Sequence, residues 1–560
     1  MSNTTGPSAL NGHEPTSSRA ACARCADEES PLLTHRSSDS GSSKKHEEFS
    51  SRKLIVVLGS AFIGVFLAAL DTTIVATLSV PISSSFKSLN LLSWLGSSYL
   101  IANAACQPLS GRLTDIFSRR SGLIVSNLLF FVGTLMCGLA TSKWSILAGR
   151  VVAGMGGGGM NAISAFLASD LVPLKRRGVV QGVAHVCYGV GAGLGGLFGG
   201  WVNDVWGWRA AFLGRLPLIF VSGLLICVTV SNNNNNGDRS GTQQSRGSRI
   251  SRIDFSGALT LVATLVLLLL GLNSGGNVVK WSHPLVLVSL SLSIVALVLF
   301  VCIESRWAKE PIIPMRLLLD RTVLAACFIN CLITMTLFMA TFYVPVFLQV
   351  NGASTTSSGL RLIPQSVGTS IASLGCGYIM KRTGKYRTLG LVVISCSSFG
   401  FAGLATMTFD MGPIPALVYL FLVGIGYGGM LSVSLLGTVA AVPHQDQAVA
   451  TSIIYAFRSV GSTMGVTVAS TVYQNLLQRS LHARFDGRQG AAGVIKRILD
   501  SLDELKHLPR GWSDGVYASY GTALRGVFLT GLGVAGLGLV AASFMRQHKL
   551  HDTISREDDE

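Results

Sequence analysis

The chain has 560 residues, of which 49% are hydrophobic and 13% charged, and its formal net charge is +16. Soluble proteins carry about a quarter charged residues, so this chain has too few to cover a water-facing surface. Nucleic-acid binding is excluded because it needs a continuous basic face, whereas the basic residues here form short clusters between apolar runs. The composition indicates an all-α integral membrane protein in a lipid bilayer.

Residues 1–52 are rich in serine, threonine and charge without apolar periodicity, which predicts a disordered cytosolic tail. Within it, Glu28, Leu32 and Leu33 resemble an acidic dileucine sorting signal for the vacuole or lysosome, which a sorting adaptor would read. The CxxC pair of the same tail lacks a second pair or histidines at ligand spacing. No metal site and no cofactor are therefore expected.

Fourteen apolar stretches follow, each long enough to cross a hydrocarbon core, which takes about 20 helical residues. They lie at 54–78, 94–113, 121–140, 144–170, 179–202, 210–230, 254–273, 284–303, 322–346, 357–380, 389–408, 414–440, 447–472 and 524–545. An even count places both tails, 1–52 and 546–560, on one side. The loops on that side carry eighteen lysines and arginines and the opposite short loops carry five, so the positive-inside rule predicts cytosolic tails.

The long segment 473–523 lies on the opposite, lumenal side in this topology. Part of it has an amphipathic helical stripe, formed by Ile495, Ile498, Leu499, Leu502 and Leu505. Two placements stay open at this point. The stripe either lies on the membrane surface or caps the lumenal mouth of the helix bundle.

An internal repeat relates two parts of the chain. "GMGGGGM" at 154–160 recurs as "GIGYGGM" at 424–430, an offset of 270 residues, and "GRLTDIFSRR" at 111 aligns with "GYIMKRTGKYR" at 377. Such repeats are typical of transporters whose halves rock about a central site. We therefore expect two six-helix halves, at 53–230 and 322–545. A linker with two inserted helices, at 231–321, joins them.

Several motifs resemble signatures of the major facilitator superfamily. Gly111, Asp115, Arg119 and Arg120 resemble its loop 2–3 signature, and "LAGRVVAGMGGGG" (147–159) resembles its fourth-span motif. The resemblance implies the major facilitator fold, a monomer, and a gating role for the loop residues. The loop sequence departs from the signature at Ile116, where a basic residue is usual, and at Ser118, where glycine is usual.

Two further motifs resemble the fourteen-span drug:proton antiporter branch. "LDTTIVATLSVP" (70–81) is similar to its first-span signature, and residues 189–212 are similar to its glycine motif. In that motif Ala192 replaces the usual proline. The glycines at a spacing of four share a helix face and permit close, slidable packing; the motif glycines are Gly191, Gly195, Gly196 and Gly199.

Asp71, Arg150 and Arg458 lie deep inside predicted spans, where a charge is costly and is usually functional or paired. Asp71 is expected to bind a proton or the substrate, or to pair with another helix. For Arg150 the resemblance implies proton coupling, and the alternative is a structural link between spans 1 and 4. Arg458 counters a carboxylate, binds an anionic group or pairs across the halves. Uncharged candidates for the cavity lining are Asn103, Gln107, Asn161 and Tyr188.

Within the branch, residues 97–120 and "GWRAAF" (207–212) look closest to fungal vacuolar basic amino-acid transporters. This resemblance implies proton-coupled movement of lysine, arginine or histidine across the vacuolar membrane, with no enzyme activity. One alternative is a multidrug:proton antiporter in the plasma membrane. Another is a transporter-like nutrient sensor, which a long cytosolic output domain would favour and which the short tails do not.

Overall fold

The structure is a computed structural model that describes residues 51–547 with gaps. The gaps fall at 89–90, 117, 173, 231–254, 276–278, 280, 307–314, 413, 444–445, 487–490, 501 and 510. Side chains are also left undescribed inside some helices, at 51–53, 108, 111, 112, 115, 116, 169, 174–179, 255, 315, 381, 448, 452, 500, 503 and 506. The predicted sorting signal Glu28, Leu32 and Leu33 lies outside the described residues.

The N-terminal group of helices precedes the first long gap. Its members are α1 (Ser51–Ser85), α2 (Leu91–Ile116), α3 (Arg119–Gly138), α4 (Lys143–Leu171), α5 (Leu174–Trp206), α6 (Trp208–Leu213) and α7 (Leu216–Thr229). Short connections join consecutive membrane spans, so neighbouring spans run antiparallel, and α6 and α7 together form one span, Trp208–Thr229. We call the end of the bundle where α1 begins the tail side and the end where α1 stops the far side.

An inserted pair and a C-terminal group follow. The pair is α8 (Phe255–Ser274) and α9 (Pro284–Arg306). The C-terminal group is α10 (Met315–Leu318), α11 (Arg321–Val350), α12 (Thr355–Leu360), α13 (Ile363–Thr383), α14 (Arg387–Ala405), α15 (Ile414–Ala441), α16 (Gln447–Phe485), α17 (Ala491–Asp500), a 3₁₀ helix (Leu502–His507) and α18 (Ser513–Ser543). Helix α8 packs against both α2 and α16, so the pair contacts both groups.

Within the described residues, eleven helical stretches are long and apolar enough to cross a membrane. Three predicted spans coincide with helices that are not among the eleven: α2, α13 and α16. These three helices carry polar side chains at the contact between the two groups, such as Gln107, Gln365 and Ser459. The all-helical expectation is confirmed, and the count of fourteen stays a prediction.

The internal repeat is visible as recurring helix contacts. A Cβ added at Gly154 of α4 would meet the Tyr99 backbone of α2, and one at Gly424 of α15 would meet the Gln365 backbone of α13. These pairs are related by the offsets of the sequence repeat, 270 and 266. Close backbone approach at glycine therefore sets the same helix packing in both groups.

A second pair of helix contacts repeats in the same way. Gly191 of α5 packs on Phe66 of α1, and Gly461 of α16 packs on Cys331 of α11. The α1–α5 packing of the N-terminal group thus has its equivalent in the α11–α16 packing of the C-terminal group.

The far-side segment packs onto the protein. Ile495 and Ile498 of α17 are buried in the core that includes the α16 and α18 ends. The Tyr520 hydroxyl of α18 donates a hydrogen bond to the Ile498 carbonyl at 3.2 Å. Phe485 and Trp512, which flank the segment, stack with ring centroids 4.2 Å apart. The apolar stripe therefore covers the far-side ends of α16 and α18.

Candidate transport site

A buried ion cluster lies inside the N-terminal group. The Asp71 carboxylate of α1 is fully buried, as are the Arg150 and Arg215 side chains. Arg150 Nη1 donates to Asp71 Oδ2 at 2.6 Å, and Arg215 Nη1 forms an ion pair with Asp71 Oδ1. Both carboxylate oxygens therefore have an arginine partner, and the three groups carry a net charge of +1.

Arg150 has further fixed contacts. Its Nε donates to the Leu95 carbonyl of α2 at 3.0 Å, and its guanidinium lies 4.4 Å from the centre of the Tyr99 ring. The Arg150 side chain of α4 thus contacts both α1 and α2, and its role in proton coupling stays a prediction.

Sequence reasoning missed Arg215. It stands at the break between α6 and α7, with Gly214 before it and a proline within the first two residues of α7. Proline is favoured at a helix start because its missing N–H costs nothing there. The break turns the Arg215 side chain towards Asp71, and its guanidinium lies 4.9 Å from the Phe212 ring. The signal was available, because Arg215 falls inside the predicted span 210–230.

A small cavity lies between the two groups. Its volume is about 30 Å³, which is space for about one water molecule. The lining residues are Thr72, Thr73, Tyr188, Gly189, Ala192, Leu337, Phe338, Thr341, Leu362, Gln365, Ser366, Thr369 and Tyr427. None of these is acidic. Asp71 precedes Thr72 but faces the inside of its own group, so its carboxylate is separate from this lining.

Polar contacts join the groups on the tail side of the cavity. Gln107 of α2 accepts from Ser459 of α16 at 2.7 Å and donates to Asn103 at 2.8 Å. His185 Nδ1 of α5 lies 3.0 Å from Ser373 Oγ of α13. Of the predicted lining residues, Tyr188 lines the cavity, Gln107 and Asn103 form this contact, and Asn161 is half-buried on α4.

Arg458 lies at the same contact, on α16. Its half-buried guanidinium is 4.2 Å from the centre of the Tyr455 ring, and it interacts electrostatically with His185, Tyr188 and Tyr427. Among the described residues no carboxylate oxygen lies within 4.0 Å of it. The expectation that it counters a carboxylate therefore finds no support in the described side chains.

The glycines of α5 lie on two faces of the helix. Gly191, Gly195 and Gly199 pack against Phe66, Leu70 and Ile74 of α1, whereas Gly196 and Gly200 pack against α12 of the other group. Without side chains on either face, α5 approaches both partners closely. Helix α5 is continuous across Ala192, the position where the antiporter motif usually has proline.

The far-side contact between the groups uses Asp204 at the end of α5. Its Oδ2 accepts from the Thr356 backbone N–H at 3.0 Å and from the Thr356 hydroxyl at 2.5 Å. Asn203 donates to the Thr355 hydroxyl at 3.1 Å. A carboxylate at a helix N-terminus is favoured by the helix dipole, so Asp204 stabilises closure of this side.

The loop after α2 links helix ends on the tail side. Arg119 Nε donates to Asp170 of α4 at 3.0 Å, and Arg120 Nη2 donates to the Cys227 carbonyl of α7 at 2.6 Å. Ser118 has φ of 141°, a conformation that glycine adopts more easily, which explains why glycine is usual there. The side-chain surroundings of Gly111, Asp115 and Ile116 lie outside what the structure describes.

A sequence model described as the Major Facilitator Superfamily matches residues 61–466, which include Asp71, Arg150, Arg215 and Arg458. The chain belongs to this superfamily. It is a multi-pass integral membrane transporter for small molecules and not an enzyme, which confirms the resemblance drawn from its motifs.

Two relatives in Schizosaccharomyces pombe carry names that indicate different functions. The chain is 33% identical over 518 residues to "Multidrug resistance protein fnx1", covering 92% of this chain and 96% of the relative. It is 34% identical over 436 residues to "Vacuolar membrane amino acid uptake transporter fnx2", covering 77% and 74%.

The fold of this superfamily member is matched by solved structures. A bacterial homologue of the human lysosomal transporter Spinster, in an inward-facing and occupied conformation, superposes with a TM-score of 0.59. The identity is 16%, and the match covers 89% of this chain and 98% of that one. At this identity the likeness shows the fold alone.

Proposed function

We propose that this protein is a proton-coupled transporter that moves the basic amino acids lysine, arginine and histidine across the vacuolar membrane by alternating access. Fourteen spans, cytosolic tails and a monomer belong to the proposal. The observation that carries the coupling is the buried Asp71 carboxylate held between Arg150 and Arg215. A buried ionisable residue in a membrane protein is a functional candidate by default.

In this mechanism Asp71 takes the proton. Protonation neutralises the carboxylate and weakens its attraction for both arginines, which come from α4 and from the α6–α7 break. Since the pairs fix α1 against these elements, their loosening changes the packing within the N-terminal group. The geometry favours this role over direct attraction of the substrate, because the Asp71 carboxylate faces away from the cavity lining.

The substrate would bind where the two groups meet, in the cavity enlarged by opening of either side. A cationic side chain finds aromatic faces there, from Tyr188, Phe338 and Tyr427, and oxygens from Gln365 and Thr369. Cations are attracted to aromatic faces, by about 0.5–2 kcal/mol. The central site therefore accommodates a basic side chain without an acidic residue in its lining.

Vacuolar location is supported by two features of different kinds. The relative named as a vacuolar membrane amino acid uptake transporter is 34% identical. The tail carries the dileucine pattern of Glu28, Leu32 and Leu33, which a sorting adaptor would bind. An acidic vacuole lumen would then drive import, with protons leaving as the amino acid enters.

The deciding experiment is uptake of radiolabelled lysine into ATP-energised vacuolar vesicles with and without the protein. We expect uptake that requires the protein and is abolished by a protonophore. Unchanged uptake, together with increased drug resistance of cells that express the protein, would reject the amino-acid proposal.

One specific observation favours a second candidate, a multidrug:proton antiporter in the plasma membrane. The cavity lining is neutral and combines the aromatic rings of Tyr188, Phe338 and Tyr427 with aliphatic and uncharged polar side chains, which suits apolar compounds as well as amino acids. The relative named as a multidrug resistance protein covers 92% of this chain. Growth of expressing cells on toxic apolar cations, compared with vesicle uptake of lysine, separates the two functions.

A further inference from the structure

Arg458 is a membrane-embedded cation at the contact between the two groups of helices. It lies on α16 next to Ser459, which hydrogen-bonds Gln107 of the other group. Its electrostatic neighbours Tyr188 and Tyr427 both line the central cavity. The guanidinium is therefore placed beside the substrate cavity, on its tail side.

The charge of Arg458 is not balanced by a carboxylate among the described residues. An unpaired cation inside a membrane span is costly, and the fully buried Arg150 and Arg215 share Asp71 as their counter-charge. The Tyr455 ring at 4.2 Å offers only a cation–π contact. An anionic group of the substrate would supply the missing partner.

From these observations we infer that Arg458 binds the α-carboxylate of the amino-acid substrate, an inference that rests on the proposed function. A guanidinium binds a carboxylate through two parallel hydrogen bonds. The Tyr188 and His185 side chains interact electrostatically with Arg458 and belong to the N-terminal group, so this subsite lies at the contact between the two groups. The substrate's basic side chain then extends towards the aromatic faces of the cavity.

Only one of the two repeat-related positions at this subsite carries a cation. At the offset of 270 residues the counterpart of Arg458 is Tyr188, and the two residues are electrostatic neighbours. The carboxylate therefore has one cationic site, which fixes the orientation of the bound amino acid.

The test compares lysine with lysinamide, in which an amide replaces the carboxylate, as substrates of the full-length protein in energised vesicles. The variants are Arg458→Gln, which removes the charge, and Arg458→Lys, which keeps it. Arg209→Gln is the matched control, because the Arg209 guanidinium also lies 4.2 Å from an aromatic ring, that of Trp208, on an exposed part of the N-terminal group.

We expect Arg458→Gln to raise the KM for lysine about ten- to hundredfold, the range for losing a hydrogen bond to a charged group. Its KM for lysinamide and its maximal rates should match wild type. Arg458→Lys should recover part of the affinity for lysine, and Arg209→Gln should change neither substrate.

An equal rise of both KM values in Arg458→Gln would overturn the inference, as would an equal loss of maximal rate, since either result assigns Arg458 to closure of the tail side. If the glutamine variant fails to fold, the lysine-to-lysinamide KM ratio of Arg458→Lys decides: a ratio equal to that of wild type rejects the subsite. Failure of wild type to take up lysine would reject the proposed function itself.

Discussion

Arg215 pairs with the one oxygen of the Asp71 carboxylate that Arg150 leaves free. Each carboxylate oxygen has two lone pairs, so a proton added to either oxygen removes the negative charge that holds both arginines. Since Arg150 has a further hydrogen bond, from Nε to the Leu95 carbonyl, whereas Arg215 Nε has no hydrogen-bond partner among the described groups, Arg215 is the more easily displaced of the two.

The cluster predicts an order of stabilities. Asp71→Asn leaves two buried arginines without a counter-charge, and removing one partner of a buried pair costs about 3–5 kcal/mol. The double variant Asp71→Asn with Arg215→Met should regain part of that loss, because one unpaired cation is gone. Thermal unfolding of the detergent-solubilised variants measures the order. A double variant no more stable than Asp71→Asn would contradict it.

Asp71→Asn should also abolish proton-dependent lysine accumulation, because asparagine cannot take up the proton. Lysine exchange across vesicles without a proton gradient should persist, since the substrate cavity does not include this side chain. Both are measured on the same vesicles after matching protein amounts. Normal accumulation in the variant removes Asp71 from coupling.

The two groups should be linkable by a disulfide across the cavity. A Cβ at Gly193 would lie 3.5 Å from the Ser366 Cβ, within the usual range of about 3.5–4.5 Å for disulfides. Gly193→Cys with Ser366→Cys should cross-link under oxidation and stop transport, and reduction should restore it. A protease site inserted in the 231–254 segment allows the chain to be cut between the two groups. After cleavage, the cross-linked protein should run as one joined band on a denaturing gel, whereas each single-cysteine variant, the control, should run as two fragments.

Gly200 should control closure of the far side. A Cβ there would lie 2.6 Å from the Thr355 carbonyl oxygen and the Thr356 Cα, so Gly200→Ala should hold the two groups apart and slow transport. A cysteine placed at Asn203 should react faster with a membrane-impermeant maleimide in this background. Gly193→Ala is the matched control, because its Cβ makes only ordinary contacts. Equal labelling in the two backgrounds would refute the role.

The tail motif predicts a change of location. Leu32→Ala with Leu33→Ala should move a fluorescently tagged protein away from the vacuole, since an acidic dileucine signal depends on both leucines. Glu28→Gln should have a smaller effect in the same direction. Microscopy of the tagged variants is the measurement, and an unchanged vacuolar location would mean that the signal lies elsewhere.

Hydropathy predicted the helices because length and apolar content are properties of a local stretch of sequence, and the repeat predicted that the two groups pack alike. The matching glycines Gly154 and Gly424 indicated equivalent packing, and the structure has it. The rule that singled out Asp71 and Arg150 as charges within a span also applies to Arg215.

The direction in which the charged side chains point could not be predicted from the sequence. Helix α1 is apolar on every side, so its periodicity does not tell which face meets the cavity. Asp71 was therefore open to both a proton role and a substrate role, and only the contacts with Arg150 and Arg215 place it inside its group. The partners of Arg458 were open for the same reason.

The ion cluster has a consequence for how such a chain can diverge after duplication. At the offset of 265 residues that relates Phe66 to Cys331, the C-terminal group has Thr336 where the N-terminal group has Asp71, and at the offset of 270 it has Leu420 where the N-terminal group has Arg150. If an ancestral copy held the whole cluster in both halves, loss of the aspartate first would have left stranded cations. Substituting the equivalent of Arg215 first leaves a neutral ion pair. The order of substitutions that avoids an unpaired buried charge therefore begins with that arginine.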